Sequence, residues 1–292
     1  MKKWLIVISS VLIWSSCLET DVLPLSELDP YQNKIVVNAV LTTNNTVEIQ
    51  ITNSTSSGST TLPQIMDNAT VSLSKNNVNQ TVSYSPAKKM YESGAVPAAG
   101  DLFLLDVRAD GYVSVVSQAT IPASIMATSS LTPNGGKDTS GILSDLVGVN
   151  FTDDGNQTNF YRINFFYYNT TLAEFIPMSF GLNDPAITEF NSLKLNDGSL
   201  IFNDELFNGQ EKTLSTVAPF GLVISNPGDK YMIQLESINE DLYRYFITLQ
   251  RAKDAKGSDF SNAFNSAAVI HSNVQRGIGI FGASYRHQDT LR

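Results

Sequence analysis

The chain has 292 residues, of which 42% are hydrophobic and 10% aromatic, the composition of a folded protein with a real core rather than of a disordered chain. Its formal net charge is −9, which disfavours nucleic acid and anionic lipid as partners because both need basic stripes on the protein surface. Low charge together with many Asn, Ser, Thr and Tyr residues favours an exported, mainly β protein.

The first seventeen residues have the layout of a secretory signal peptide. Lys2 and Lys3 form a basic head, an apolar run extends from Trp4 to Trp14, and two serines precede Cys17, which is the only cysteine of the chain. An apolar run of about eleven residues fits a signal peptide and is shorter than the roughly 20 residues that a membrane-spanning helix needs. We therefore expect residues 1–16 to be removed on export.

The cleavage end resembles a bacterial lipobox, in which small residues precede a cysteine that becomes acylated. Trp14 stands where the usual pattern has leucine, so an ordinary secretion signal beside a chance cysteine remains the alternative. A lone cysteine cannot form an internal disulfide, whereas acylation would consume its thiol. Lipidation of Cys17 with three acyl chains would hold the protein on a membrane surface, since two or more chains give stable anchoring.

Residues 17–32 are expected to form a tether, because they show no periodicity and contain Pro24 and Pro30, which break helices. Glu19 and Asp21 resemble the acidic signal that sends lipoproteins of Bacteroidota to the cell surface. A plain solvated linker is an equal alternative for these two residues. We expect a location at the outer membrane, on the cell-surface face in preference to the periplasmic face.

Short strands with intervening turns are predicted from residue 33 to residue 121. The segment Val47–Ile51 alternates between apolar and polar residues, which predicts a strand with one face in a core. The motifs NATVSL at Asn68–Leu73 and DGY at Asp110–Tyr112 resemble the prealbumin-like sandwich found as a regulatory module in carboxypeptidases and at the front of many TonB-dependent receptors. This resemblance implies a structural or adhesive module over residues 33–121.

Residues 122–292 are predicted to form a second β-rich domain, because turn signals recur between alternating segments. A loop is expected at Thr128–Ser140, which is rich in Gly, Ser and Thr. An amphipathic helix is predicted at about residues 238–253, since Ser237 and Glu240 match a capping box and apolar residues follow at helical spacing. The expected fold class is mainly β, with two β-sandwich-like domains and one amphipathic helix near the C-terminus.

The segment Gly277–Gly282 matches the letters G-x-G-x-x-G of a dinucleotide-binding motif. That motif functions where a helix begins at the glycines and an acidic residue follows about 20 positions later. Ten residues follow Gly282, so we expect no nucleotide and no other cofactor. The glycines are expected instead to let a closing strand pack closely against a neighbour or bend at a bulge.

Three segments near the C-terminus, FNDELFNG, DLYRYFITLQRA and NVQRGIGIFGASY, resemble a Bacteroidota family of unknown function, DUF4249. The residues on which this resemblance rests are Phe202, Asn203, Asp204, Tyr243, Tyr245, Asn273, Gly277, Gly279, Phe281 and Gly282. We expect structural roles for these motif residues. The resemblance implies an outer-membrane lipoprotein usually encoded beside a TonB-dependent transporter, and it implies no catalytic residue.

Side chains suited to catalysis or metal binding are sparse. His271 and His287 have no H-E-x-x-H pattern or cysteine nearby, so no metal site is expected. The acidic pairs Asp153–Asp154, Asp204–Glu205 and Glu240–Asp241 would serve a glycoside hydrolase if two carboxyl groups lay about 5–10 Å apart. The first pair also fits a turn and Glu240 fits a helix cap, so we do not expect an enzyme.

The expected function is that of a non-catalytic outer-membrane lipoprotein, accessory to a TonB-dependent transporter, that captures a small ligand or caps the pore. A binding protein of this kind would use exposed aromatic residues, and Phe165–Tyr168 holds more of them than one buried face can accommodate. A structural or adhesive surface lipoprotein is the first alternative. A carbohydrate hydrolase is the second.

Overall fold

The computed structural model describes five stretches of the chain, which are residues 32–56, 59–182, 184–219, 228–256 and 269–292. Asn33–Arg292 forms one compact unit. Cys17, the predicted signal peptide and all but the last residue of the predicted tether lie outside the described residues.

The predicted fold class is confirmed, since the described residues form mostly strands arranged in several sheets. The strands are β1 (Ile35–Thr42), β2 (Val47–Asn53), β3 (Thr70–Lys75), β4 (Val78–Gln80), β5 (Ser83–Ser85), β6 (Met90–Ser93), β7 (Leu102–Arg108), β8 (Val115–Thr120), β9 (Ala127–Lys137), β10 (Leu143–Thr152), β11 (Phe160–Asn169), β12 (Glu174–Pro177), β13 (Ser192–Lys194), β14 (Leu200–Asn203), β15 (Glu211–Val217), β16 (Tyr231–Ile238) and β17 (Ile278–Leu291). The helix α1 (Glu240–Lys256) lies between β16 and β17.

A ten-stranded sheet organises the molecule, with the strand order β13-β14-β11-β16-β17-β1-β2-β6-β5 and β12 paired to β11. The first half of β17 runs parallel to β1, and its second half pairs antiparallel with β16. The predicted boundary after Ile121 falls between β8 and β9, and strands from both sides of it enter this sheet. The two predicted β-rich regions therefore share one sheet, because β17 joins them.

Two smaller sheets cover one face of the large sheet. The first has the order β4-β3-β7-β8 and the second has the order β15-β10-β9. Phe281 of β17 packs in the core beneath the first small sheet, and Leu235 of β16 packs in the core beneath the second. The adjacent residue Ile280 points to the opposite face of the sheet, where it contacts the side chains of α1.

The expected loop at Thr128–Ser140 is wrong over most of its length, because β9 occupies Ala127–Lys137. β9 is an edge strand that pairs with β10 alone. Most of its side chains are exposed or half-buried, so the strand needs no apolar alternation. Its composition of Ser, Thr, Asn and Gly consequently gave no strand signal.

The predicted capping box at Ser237 is also wrong. Ser237 lies opposite Tyr285 in the ladder between β16 and β17, so the strand continues through the expected cap position. Asn239 caps the helix instead, and its Oδ1 accepts the backbone N–H of Leu242 at 3.3 Å. The helix consequently starts at Glu240 and ends at Lys256. No helix in the described stretches has both the length and the apolar character of a membrane span.

Candidate ligand-binding site

The glycines of the G-x-G-x-x-G segment allow β17 to approach its neighbours closely. Gly279 has a φ of +112°, and a Cβ atom there would lie 2.0 Å from the carbonyl oxygen of Val37 in β1. A Cβ atom at Gly282 would lie 2.9 Å from Leu242 of α1. Because β17 continues as a strand to Leu291, no helix begins at these glycines.

Two asparagines complete the edge of β17 where β16 does not reach. Pairing with β16 begins at Ser284. Before that point the side chain of Asn273 donates to the carbonyl oxygen of Phe281 at 3.0 Å and accepts its N–H at 2.9 Å. The side chain of Asn239 accepts the N–H of Ala283 at 3.0 Å. Asn273 thereby satisfies backbone groups that would otherwise lack partners, as a neighbouring strand would.

Asp153 and Asp204 approach each other although they are distant in the sequence. Asp153 is buried and accepts the Tyr161 hydroxyl and the backbone N–H of Gly209, whereas Asp154 is exposed. Asp204 is buried and accepts the backbone N–H of Asn159 at 2.8 Å. The structure therefore brings together one acid from each of two pairs, Asp153 and Asp204, and surrounds both with hydrogen-bond donors. The third pair, Glu240–Asp241, lies in the first turn of α1.

Burial raises the pKa of Asp204 above its ordinary value, and the nearby charge of Asp153 raises it further. Because its pKa in the folded state exceeds that in the unfolded state, this carboxyl favours folding below the unfolded pKa. That contribution is lost as the pH rises through the folded pKa.

We expect Asp153→Asn to lower the pKa of Asp204, since the substitution removes a negative charge and keeps an oxygen that can accept the Gly209 N–H. A carbon-13 NMR titration of the Asp204 carboxyl measures the pKa directly. Asp154→Asn is the matched control, and it should leave the pKa of Asp204 where it is in the unmodified protein. An unchanged pKa in Asp153→Asn would contradict the assigned electrostatic coupling.

The other motif residues lie in the cores. Phe202 is fully buried and stacks on Tyr161 with ring centroids 5.4 Å apart, and Phe281 is fully buried beneath the first small sheet. Phe165 of the aromatic run is also buried, and Tyr168 packs edge-on against Phe175. These rings therefore contribute to packing.

A cavity of about 540 Å³ lies on the four-stranded sheet β4-β3-β7-β8. Its lining is formed by side chains of that sheet, of the first turn of α1 and of the segment before β17. The lining residues are Ser72, Leu73, Ser74, Asn79, Leu104, Leu105, Asp106, Val116, Ser117, Gln118, Asp241, Asn273 and Gln275.

The floor of this cavity follows from strand register. Ser72, Asp106 and Val116 are aligned across β3, β7 and β8, and Leu104 and Gln118 are aligned one step along. Residues aligned in this way point to the same side of a sheet. Their neighbours Phe103 and Val107 point to the core, so the floor is the outer face of the small sheet.

One wall of the cavity is held by hydrogen bonds between distant segments. The N–H of Gln275 donates to the carbonyl oxygen of Val116 at 2.9 Å, and the Ser117 hydroxyl donates to the carbonyl oxygen of Asn273. Asn273 also reaches Asp241 at 3.3 Å. Asn273 thus connects β17, the cavity wall and the start of α1.

Asp241 and Asp106 place two carboxylates in the lining. His271 donates from Nε2 to Asp241 at 2.8 Å, and Arg108 donates from Nε to Asp106 at 2.9 Å. Sequence reasoning missed this site because its residues come from six separate segments, which are β3, β4, β7, β8, the start of α1 and the segment before β17. Leu104 is apolar but lies at an outward-facing position of β7. An apolar residue at such a position was a local indication of a binding surface. His287 lies elsewhere, opposite Leu235 in the large sheet.

Within the described stretches, no group of three or more His, Cys, Asp or Glu side chains is arranged to hold a metal ion. Phe165–Tyr168, the run expected to contact a ligand, contributes nothing to the lining of the cavity. The arrangement as it stands is a recess whose floor combines Leu104 and Val116 with polar side chains, and whose lining includes amide and hydroxyl groups and two carboxylates.

The fold and this recess define a mainly β protein with two small sheets on one shared sheet and a surface cavity of ligand size. The chain belongs to the family described as Domain of unknown function (DUF4249), whose model matches residues 22–290. The resemblance based on the C-terminal motifs is thereby confirmed. Comparison with curated proteins gives no match.

Two solved structures show weak likeness to the chain. The T6 backbone pilin of serotype M6 Streptococcus pyogenes is 9% identical with a TM-score of 0.22, and the alignment covers 90% of this chain and 64% of the pilin chain. A structure described as manganese lipoxygenase of Gaeumannomyces graminis and partial zonadhesin of Komagataella pastoris is 9% identical with a TM-score of 0.20, covering 71% of this chain and 89% of that one. The chain therefore spans about two thirds of the pilin, and neither likeness supports a conclusion at these TM-scores.

Proposed function

We propose that this protein is a non-catalytic, lipid-anchored binding protein of the outer membrane that captures a small ligand for a TonB-dependent transporter. The observation on which this depends is the cavity of about 540 Å³ on the outer face of the small sheet. Small-molecule sites are typically about 300–1,000 Å³, with apolar surface and a few polar groups that fix orientation. Leu104 and Val116 supply the apolar surface, and Asp241 and Gln118 are among the polar groups.

The sequence supports the proposed location. The lipobox-like segment ends at Cys17, and residues 17–32 would give a tether of at most about 50 Å at 3.3–3.6 Å per residue. A tethered body of this kind can sample the space above a neighbouring pore while it remains on the membrane. The prealbumin-like character of residues 33–121 and the proposed origin in Bacteroidota fit the same setting, since such modules also stand at the front of TonB-dependent receptors.

The buried acids support a binding role over hydrolysis. Asp153 and Asp204 accept hydrogen bonds from Tyr161, Gly209 and Asn159 inside the second core. Glycoside hydrolysis needs two carboxyl groups on either side of a substrate bond. Carboxylates enclosed by their own chain serve packing and loop positioning.

Affinity purification from native membranes tests the proposal. A tag at Arg292 is suitable, because this residue is exposed at the end of the chain. We expect the tagged protein to recover a TonB-dependent transporter and to show an acylated Cys17 by mass spectrometry. Cys17→Ser is the matched control, and it should release the protein from the membrane fraction and lose the transporter. Recovery of the acylated protein without any transporter would contradict the proposed partner, and an unmodified thiol would contradict the anchor.

A further inference from the structure

The charged side chains that line the cavity on the four-stranded sheet are all acidic. Its thirteen lining residues, all in the described part of the chain, include Asp106 and Asp241 and no lysine or arginine. Fixed carboxylates in a recess with low-dielectric walls attract cations and repel anions, and the effect exceeds that of the same charges on open surface. A ligand with a carboxylate or a phosphate would meet repulsion here without a compensating cation in the lining.

Asp241 retains capacity for a further hydrogen bond. A carboxylate has about four lone-pair positions on its two oxygens. His271 occupies one position on Oδ1, and Asn273 approaches Oδ2 at the longer distance of 3.3 Å. The side chain is 39% exposed, so an incoming donor can reach it.

Asp106 is 32% exposed and accepts two hydrogen bonds from Arg108, one from Nε at 2.9 Å and one from Nη2 at 3.2 Å. Its partner Arg108 has a side chain that is 70% exposed. Exposed ion pairs of this kind contribute little, because water and salt screen them. A cationic group entering the cavity can therefore share or replace this contact at small cost.

The apolar side chains on the floor of the cavity determine which uncharged part of a ligand can bind there. Leu104 is 37% exposed although it lies in a strand, and Val116 lies one strand away on the same face. These side chains offer surface for methylene groups, whose removal from water favours binding. The lining includes no aromatic ring, so it lacks the cage that recognises quaternary ammonium groups.

We infer that the cavity binds a primary amine carried on an aliphatic chain, with the ammonium group at Asp241 or Asp106 and the chain over Leu104. This inference depends on the proposed role in ligand capture. An ammonium group brings three donors, which suit carboxylate, amide and hydroxyl acceptors such as those of Asp241, Gln118 and Ser72. The negative charge of the lining, its hydrogen-bond acceptors and the apolar side chains of its floor thus all favour the same class of ligand.

Three probes with the same chain and different head groups test the inference, namely pentylamine, 1-pentanol and pentanoate. Chemical-shift changes of the protein amides during titration give each dissociation constant. We expect pentylamine to bind at least about tenfold more tightly than 1-pentanol, since hydrogen bonds to charged groups are the stronger ones. Pentanoate should not bind, and added salt should weaken the binding of pentylamine.

Asp241→Asn should weaken pentylamine binding about tenfold and leave 1-pentanol unaffected. Asp110→Asn is the matched control, because Asp110 is exposed in the turn after β7 and does not line the cavity. Leu104→Lys is a second variant that keeps the test independent of the helix start, and its cation on the floor should abolish pentylamine binding without lowering the melting temperature.

The outcomes separate this inference from the proposed function. Equal binding of pentylamine and 1-pentanol, or tighter binding of pentanoate, would overturn the amine assignment and leave a capture role standing. Absence of binding by all three probes would also overturn the assignment. Failure to recover a transporter with the tagged protein would overturn the proposed partner and would say nothing about the head group that the cavity prefers.

Discussion

Replacing Gly279 with alanine is expected to remove at least about 4 kcal/mol from the free energy of unfolding. The added Cβ atom would lie 2.0 Å from the carbonyl oxygen of Val37, and neither backbone can move without breaking the ladder between β1 and β17. The φ of +112° at this position is also strained for any residue with a Cβ atom. Domain stabilities are about 5–15 kcal/mol, so this loss would be between about a quarter and four fifths of the total.

Urea unfolding of the purified protein measures this effect. Gly94→Ala is the matched control, because a Cβ atom at Gly94 would meet nothing within 4 Å. The control should change stability by less than about 0.5 kcal/mol, as expected for a surface substitution. If Gly279→Ala has as small an effect as Gly94→Ala, the close approach of β17 to β1 is not required for the fold.

Local patterns in the sequence predicted the class of fold and many strands. The alternation of Val47–Ile51 gave β2, because each apolar residue of a half-buried strand must face the core. β9 was missed, because an edge strand with exposed side chains carries no such pattern. The helix start was missed by two residues, since Ser237 satisfied a local capping rule while the ladder with β17 already held it in a strand.

Contacts between distant segments were beyond prediction from a single sequence. β17 pairs with β1 across more than 200 residues, and no local pattern at Ile278 or Val36 specifies that register. The cavity has the same origin, because Asp106, Asp241 and Asn273 meet only after both ends of the chain enter one sheet. The glycine spacing indicated close packing in general terms, and the structure identifies Val37 and Leu242 as the neighbours.

A row of charges across the large sheet is another feature of this long-range pairing. Arg162 of β11, Glu236 of β16 and Arg286 of β17 are directly opposite one another on three adjacent strands. Glu236 is 2% exposed and accepts Arg286 at 2.7 Å and Arg162 at 3.3 Å. Phe246 of α1 covers Arg162, with the guanidinium carbon 5.3 Å from the ring centre. The acid therefore pairs with two cations beneath the helix, and Asp197 supplies the second negative charge through its contact with Arg162.

We expect Glu236→Gln to lower the free energy of unfolding by about 3–5 kcal/mol, because removing one partner of a buried ion pair leaves charge without compensation. Thermal and urea unfolding measure the loss. Glu240→Gln is the matched control, since Glu240 pairs with Arg244 at 2.6 Å but both side chains are more than half exposed. That substitution should cost less than about 1 kcal/mol.

Adding Arg286→Gln to Glu236→Gln should recover part of the loss, since the double variant also removes the cation that Glu236→Gln leaves without its carboxylate partner. Arg162 would keep its contact with Asp197 at 2.6 Å. No recovery would mean that the cost of Glu236→Gln comes from packing under α1 and not from charge. Recovery would show that the strands β16 and β17, which connect the two halves of the sheet, are held in register by electrostatic pairing as well as by their cores.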